Sequence, residues 1–202
     1  RRRRGRREPA EASGVSEAAA AASAPRRVAV VGAGAVGTLL GGLLAAAGAD
    51  VTLVDGRVPP DAPLDVAIHE PNGREVTARV RRAVRLADLP APPDLVVLAV
   101  KMFDLDAAVD DLAAWPAVPA LTIQNGIGAE ELVTAARPGA AHVAGSLTSP
   151  VERPGPAEVR WRGRGGIALA VAAGPAAPAA DWVGSAFASA GVRAQRLSDA
   201  RA

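Results

Sequence analysis

Residues 28–55 read VAVVGAGAVGTLLGGLLAAAGADVTLVD, and the division of this stretch into elements decides the fold. Its first 22 residues carry no charge and follow Arg26 and Arg27, the outline of a membrane span or a twin-arginine leader. Against a span stand the glycines at 32, 34, 37, 41, 42 and 48, because each glycine in a helix interior costs about 1 kcal/mol relative to alanine. The opening residues Val28, Val30 and Val31 are also β-formers. A buried strand at 28–31, a glycine turn at 32–37, a helix at 36–47 stopped by Gly48, and a second strand at 51–54 account for every residue. Together they form a βαβ unit.

The spacing Gly32-x-Gly34-x-x-Gly37, directly after a strand and opening a helix, is the pattern of a dinucleotide site. Gly32 serves the tight turn, Gly34 lets backbone approach a pyrophosphate, and Gly37 lets helix and strand pack closely, with Ala33, Ala35 and Val36 between them. The helix N-terminus adds free N–H groups and a positive dipole end. No Lys-Ser/Thr follows the glycines, so a mononucleotide P-loop is not the reading. Asp55 closes the second strand 18 residues after Gly37 and can accept hydrogen bonds from ribose hydroxyls, which favours NAD(H). Arg57 can instead hold a 2′-phosphate, which favours NADP(H), and Asp55-Gly56 is also a turn dipeptide. The expected fold is α/β: a Rossmann-type, doubly wound, mainly parallel sheet with antiparallel strands late in the chain.

Pro71-Asn72-Gly73 between alternating segments at 64–69 and 75–80 predicts a hairpin. Residues 94–100 form the most strand-like segment and deliver Lys101 to a strand end, where ligands of such sheets lie. Lys101 is the only lysine among 23 basic residues, which suggests a place for a compact ammonium, chance placement with a solvated side chain being the alternative. An amphipathic helix is expected at 104–115, with Trp115 as packing, then a buried strand at 120–123. That strand runs into Gln124-Asn125-Gly126-Ile127-Gly128 and a helix from Ala129. Asn125 offers a donor and an acceptor to a nicotinamide ribose or a substrate carbonyl, and Asn-Gly is equally a turn signal. Further strands are expected at 142–145, 157–162 and 166–170, and a helix at 181–190.

Composition removes several chemistries. The 202 residues include no Cys and no Tyr, so disulfides, thiolate sites, cysteine nucleophiles and tyrosine proton donors are all excluded. Only His69 and His142 are present, neither beside a carboxylate at ligand spacing, so both are expected to be structural and no metal site is predicted. Residues 1–27 carry a net +5 and residues 28–202 a net −3, so the folded part is mildly acidic and neither a nucleic-acid nor a membrane partner is expected. The Arg/Ala-rich segment 1–27 lacks apolar periodicity and is expected to be a disordered tail.

Three motifs in order, Val30-Val31-Gly32-Ala33-Gly34-Ala35-Val36-Gly37, then Leu98-Ala99-Val100-Lys101 with Asp104, then Gln124-Asn125-Gly126-Ile127-Gly128, make residues 28–196 resemble the N-terminal domain of ketopantoate reductases. The resemblance implies reduction of 2-dehydropantoate to pantoate in the cytoplasm, for pantothenate and coenzyme A biosynthesis, usually with NADP(H). By the same resemblance the glycines hold the pyrophosphate, Lys101 and Asn125 contact the nicotinamide half, and Asn125 faces the small 2-keto acid substrate. The family commonly places an arginine immediately after the second strand, where this chain has Asp55-Gly56-Arg57. Its helical C-terminal domain, which bears the lysine that protonates the ketone and through which a homodimer could form, has only a start expected at 197–202. A partial sequence, inactive by itself, is the expectation. Two other readings fit the same nucleotide motif: a dehydrogenase of glycerol phosphate, amino acid or imine substrates, and a non-catalytic nucleotide-binding module.

Overall fold

In the computed structural model the described residues are 26–57, 63–125, 127–163 and 165–198. Most of the expected tail and residues 199–202 lie outside them. Strand β1 (Arg27–Val31) leads into helix α1 (Ala35–Ala46) and strand β2 (Asp50–Val54). The hairpin follows as β3 (Leu64–His69) and β4 (Glu75–Ala83), turning at Gly73 with φ +85°. Strand β5 (Leu95–Leu98), helix α2 (Leu105–Asp111), strand β6 (Ala120–Thr122), helix α3 (Ala129–Ala136) and strand β7 (His142–Leu147) complete the nucleotide-binding pattern. Last come β8 (Val151–Gly155), β9 (Glu158–Trp161), β10 (Gly166–Ala173), α4 (Ala177–Ser189) and β11 (Arg193–Arg196).

The strands lie in the order β11-β10-β7-β6-β5-β1-β2-β4-β3-β9-β8. From β4 to β7 every pairing is parallel, which gives the doubly wound arrangement with the reversal of direction between β1 and β5. Strand β10 is antiparallel to β7, as expected for the late strands, while β11 is parallel to β10. Strand β4 does two jobs. Arg81–Ala83 extends the parallel sheet beside β2, and residues 75–80 pair antiparallel with β3, which carries the sheet on to β9 and β8.

Strict alternation builds two cores. Val28 and Val30 of β1 face α1 and α4, whereas Ala29 and Val31 face the layer of α2 and α3. Helix α1 is buried on all sides over residues 37–44, where Thr38 is the one polar residue. A Cβ on Gly41 would stand 2.8 Å from Leu53 Cδ2, and one on Gly42 would stand 2.7 Å from Ile68 Cδ1, so the two glycines let α1 fit between β2 and β3. Leu39, Leu40, Leu43 and Leu44 are fully buried there, and each contributes about 1.5–3 kcal/mol. No helix among the described residues is long and apolar enough to cross a membrane.

Several boundaries differ from expectation. The helix expected at 104–115 is an α-helix only over Leu105–Asp111, flanked by single 3-10 turns at Met102–Asp104 and Leu112–Ala114. Pro116 accounts for the tight end, since it disfavours helical backbone at Trp115, which has φ −137° and ψ 67°. Helix α4 starts at Ala177, earlier than Asp181, because a proline in the first turn has no helical N–H to lose. Strands β8 and β11 were not expected: their exposed, charged sequences lack an apolar alternation. The Leu197 N–H donates to the Leu169 carbonyl (2.8 Å) just past the end of β11.

Candidate functional site

The turn from β1 to α1 is shaped by exclusion. Gly32 has φ +99°, and a Cβ on it would stand 2.9 Å from both the N and the Cγ1 of Val100. A Cβ on Gly37 would overlap the Gly32 carbonyl oxygen and come within 3.1 Å of Ala99 Cβ, so helix, turn and β5 exit meet backbone to backbone. Gly34 is the exception: a Cβ there would meet nothing within 4 Å. Its open side faces away from the protein at the N-cap of α1, where no side chain caps the helix and no acid occupies the first turn. Ala35 and Val36, both half-buried, open the helix beside it. The N–H groups of that first turn and the positive end of the dipole are thus offered to an anion.

Two buried contacts hold this turn. Thr38 Oγ1 donates to the Ala33 carbonyl (3.2 Å), and the Gly32 N–H donates to the Val54 carbonyl (2.8 Å). A third comes from Asp55, just past β2. Its Oδ2 accepts from the Ala33 N–H (3.1 Å) and from Arg57 Nη2 (3.1 Å), and its Oδ1 accepts from the Arg57 N–H (3.0 Å) and Nε (3.0 Å). The amide of Ala33 is therefore spent on the carboxylate and is not among those open to a phosphate. Burial of Asp55 works against its charge, but the Arg57 guanidinium and the two backbone N–H groups outweigh it and hold the carboxyl below the ordinary carboxylate range. Arg57 is raised in turn by the same carboxylate, while most of its side chain, 76%, remains exposed.

A cleft of about 530 Å³ opens beside this frame, lined by Gly32, Asp55, Arg57, Arg85, Val100 and Asp104 among others. Its volume falls within the range of small-molecule and cofactor sites. The open face of Gly34, the uncapped helix and this cleft together are shaped to accept a dinucleotide. Lys101 and Asn125 stand at the adjacent exits of β5 and β6, both exposed, and neither lines the cleft. Gly126 lies outside the described residues.

Sequence reasoning quoted Gln124 within a motif and gave it no role. In the structure it is 9% exposed, and its Nε2 donates to the carbonyls of Leu98 (2.9 Å) and Val100 (3.0 Å). The signal was present: an amide side chain at the end of a fully buried strand has to find partners inside the protein. Arg85 and Asp111, which also line the cleft, carried no such signal, because only the fold brings the exit of β4 to α2.

Both histidines fall away from this site. His142 is buried between Thr122 Oγ1 (3.0 Å from Nε2) and Thr134 Oγ1 (3.2 Å from Nδ1), as a structural residue. His69 lies on the hairpin, 3.5 Å from a Glu75 oxygen and 3.4 Å from a Glu158 oxygen. Trp115 packs as expected, its indole N–H donating to the Leu86 carbonyl (3.0 Å).

A profile of the Ketopantoate reductase PanE/ApbA family matches residues 28–174. The 2-dehydropantoate 2-reductase of Pyrococcus horikoshii is 32% identical over 158 residues, covering 69% of this chain and 45% of its own length. That of Halobacterium salinarum is 33% identical over 148 residues, covering 69% and 47%. Among solved structures, 2-dehydropantoate 2-reductase from Methylococcus capsulatus superposes with a TM-score of 0.74 at 27% identity, over 85% of this chain and 56% of the other. A ternary structure of D-mandelate dehydrogenase with NADH and anilino(oxo)acetate shares the fold, with a TM-score of 0.73 at 23% identity over 87% and 58%. The chain spans about half the length of the curated relatives it matches.

Proposed function

Because the chain belongs to the ketopantoate reductase PanE/ApbA family, we propose that it forms the cofactor-binding half of an NADPH-dependent 2-dehydropantoate 2-reductase, which reduces a small 2-keto acid to the 2-hydroxy acid pantoate. The observation that carries this reading is the single frame made by the Gly32–Gly37 turn and the Asp55–Arg57 clasp, set beside the β5 and β6 exits that present Lys101 and Asn125.

In this reading the first-turn N–H groups of α1, with Gly34 giving access, hold the pyrophosphate. Asp55 already accepts four hydrogen bonds, so little of its capacity remains for ribose hydroxyls. It instead steadies Arg57, whose outer guanidinium edge is free to take a 2′-phosphate, and this supports NADP(H) over NAD(H). Arg85, exposed on the same cleft, is paired with Asp111 through Nε at 3.8 Å, so Arg57 is the cation this reading relies on. Lys101 and Asn125 hold the nicotinamide half, and Asn125 donates toward the ketone oxygen. Bound dihydronicotinamide supplies the hydride.

The proton that the ketone oxygen must gain is not assigned to residues 26–198. Lys101 is the sole lysine of the sequence, and it is placed at the nicotinamide half in this reading. Cofactor binding is the part of the reaction that the described residues are proposed to supply. Nicotinamide fluorescence, titrated with the 202-residue chain, tests it: saturable binding of NADPH, tighter than that of NADH, is the expected result. Failure of both nucleotides to saturate would reject the assignment.

A further inference from the structure

We propose that Gln124 is a positioning residue, which sets the spacing between Lys101 and Asn125 by locking the exits of two neighbouring strands together. The inference rests on the cofactor reading above and extends it to a residue that touches no ligand.

The argument starts from what the carboxamide does. Both protons of Nε2 are used, one on the Leu98 carbonyl (2.9 Å) and one on the Val100 carbonyl (3.0 Å), and Oε1 accepts from the Ile123 N–H (3.1 Å). Carbonyls only accept, so the NH₂ end must face β5 and the orientation of the amide is fixed. Val100 immediately precedes Lys101, and Gln124 immediately precedes Asn125. One buried side chain is therefore one peptide unit away from each of the two side chains that face the nicotinamide half. Regular pairing of the strands has already stopped: the β5–β6 register ends at Leu98 opposite Thr122. Beyond that point Gln124 supplies the bridge that backbone pairing no longer makes.

The same carbonyl end of β5 borders the glycine turn, since the Val100 N is the atom that a Cβ on Gly32 would strike. The turn has its own supports in Thr38, Asp55 and the Val54 carbonyl, so loss of the Gln124 bridge should loosen the nicotinamide side and spare the pyrophosphate side. A residue that merely supported the fold would not discriminate between the two ends of one ligand.

The test is a pair of affinities measured on the full chain. NADPH reads both halves of the site; 2′-phospho-ADP-ribose, which lacks the nicotinamide, reads only the glycine turn and the clasp. Gln124→Met keeps the volume and removes the hydrogen bonds, and should weaken NADPH about tenfold while moving 2′-phospho-ADP-ribose less than about twofold. Gln124→Asn keeps a neutral amide that is one methylene shorter, and should show the same selectivity with a smaller loss, which covers the case in which the methionine variant does not fold. Equal losses on both ligands, or none on either, would overturn the proposal. If the unaltered chain binds neither ligand, the cofactor reading itself fails, a result distinct from the other two.

Discussion

Asp55 closes the second strand, as the spacing predicts, and its carboxylate is engaged within the protein. An acid at the end of the second strand is the ordinary ribose ligand of a dinucleotide site, yet here its oxygens are engaged by the Ala33 N–H and by Arg57. Its folded-state pKa lies below the unfolded value, so the stabilisation it provides is present above about pH 4 and is lost as pH falls through the folded value. At neutral pH the clasp is charged and Arg57 is held in place. Arg57→Ala should therefore weaken NADPH about tenfold or more, the loss of a charge-assisted pair with phosphate, and leave NADH within about twofold. Equal losses for the two nucleotides in a fluorescence titration would remove Arg57 from the 2′-phosphate. The sequence held both candidates, Asp55 and Arg57, but the deciding contact joins residues 33 and 55 across the fold and has no signature in spacing. Gln124 did carry a signal, an amide at the end of a buried strand, but its partners at the exit of β5 are likewise set by the fold and not by spacing.

Helix α1 was the most legible element, because its glycines and uncharged leucines sit directly after a short β-forming run. What the sequence left open was why the helix carries glycine where alanine would be better, and the packing supplies the reason. The position that tolerates a methyl can be told from the one that does not by what the added Cβ meets. At Gly42 it meets side-chain ends, Ile68 Cδ1 at 2.7 Å and Val66 Cγ1 at 3.3 Å, which can give by small shifts; at Gly37 it overlaps the Gly32 carbonyl oxygen, which is backbone and cannot. Gly42→Ala should leave stability within about 1 kcal/mol of the parent, helix propensity offsetting the crowding. Gly37→Ala gains the same propensity and should nonetheless cost about 2 kcal/mol or more and weaken NADPH. Urea midpoints of the two variants decide it, and equal midpoints would mean that the turn is packed differently. By contrast, β11, with sequence RAQR, is held by pairing to β10 and not by a buried face of its own, so periodicity had nothing to report.

At the scale of the molecule, the parallel order β4-β2-β1-β5-β6-β7 followed from the motif, whereas the continuation through β3 to β9 and β8 depends on β4 pairing on both edges at different points along its length. The same long-range assembly buries His142, where β6, β7 and α3 meet, at 2% exposure. Burial, aided by the charge of nearby Arg137, pushes its imidazole down to about 4. An unfolded chain titrates this group near pH 6.5, so between about pH 6.5 and 4 the unfolded state binds a proton that the native state refuses. Stability must fall with pH across that window, by up to about 3 kcal/mol from this residue alone. Carboxylates contribute their own acid dependence, which a comparison removes. His142→Gln keeps a side chain able to bond both threonine hydroxyls and cannot titrate. The parent should lose about 2–3 kcal/mol more than this variant between pH 7 and pH 4.5, read from urea unfolding at each pH. Parallel losses in the two proteins would show that His142 takes up its proton inside the folded sheet, and would place it in a wetter environment than the two threonines provide.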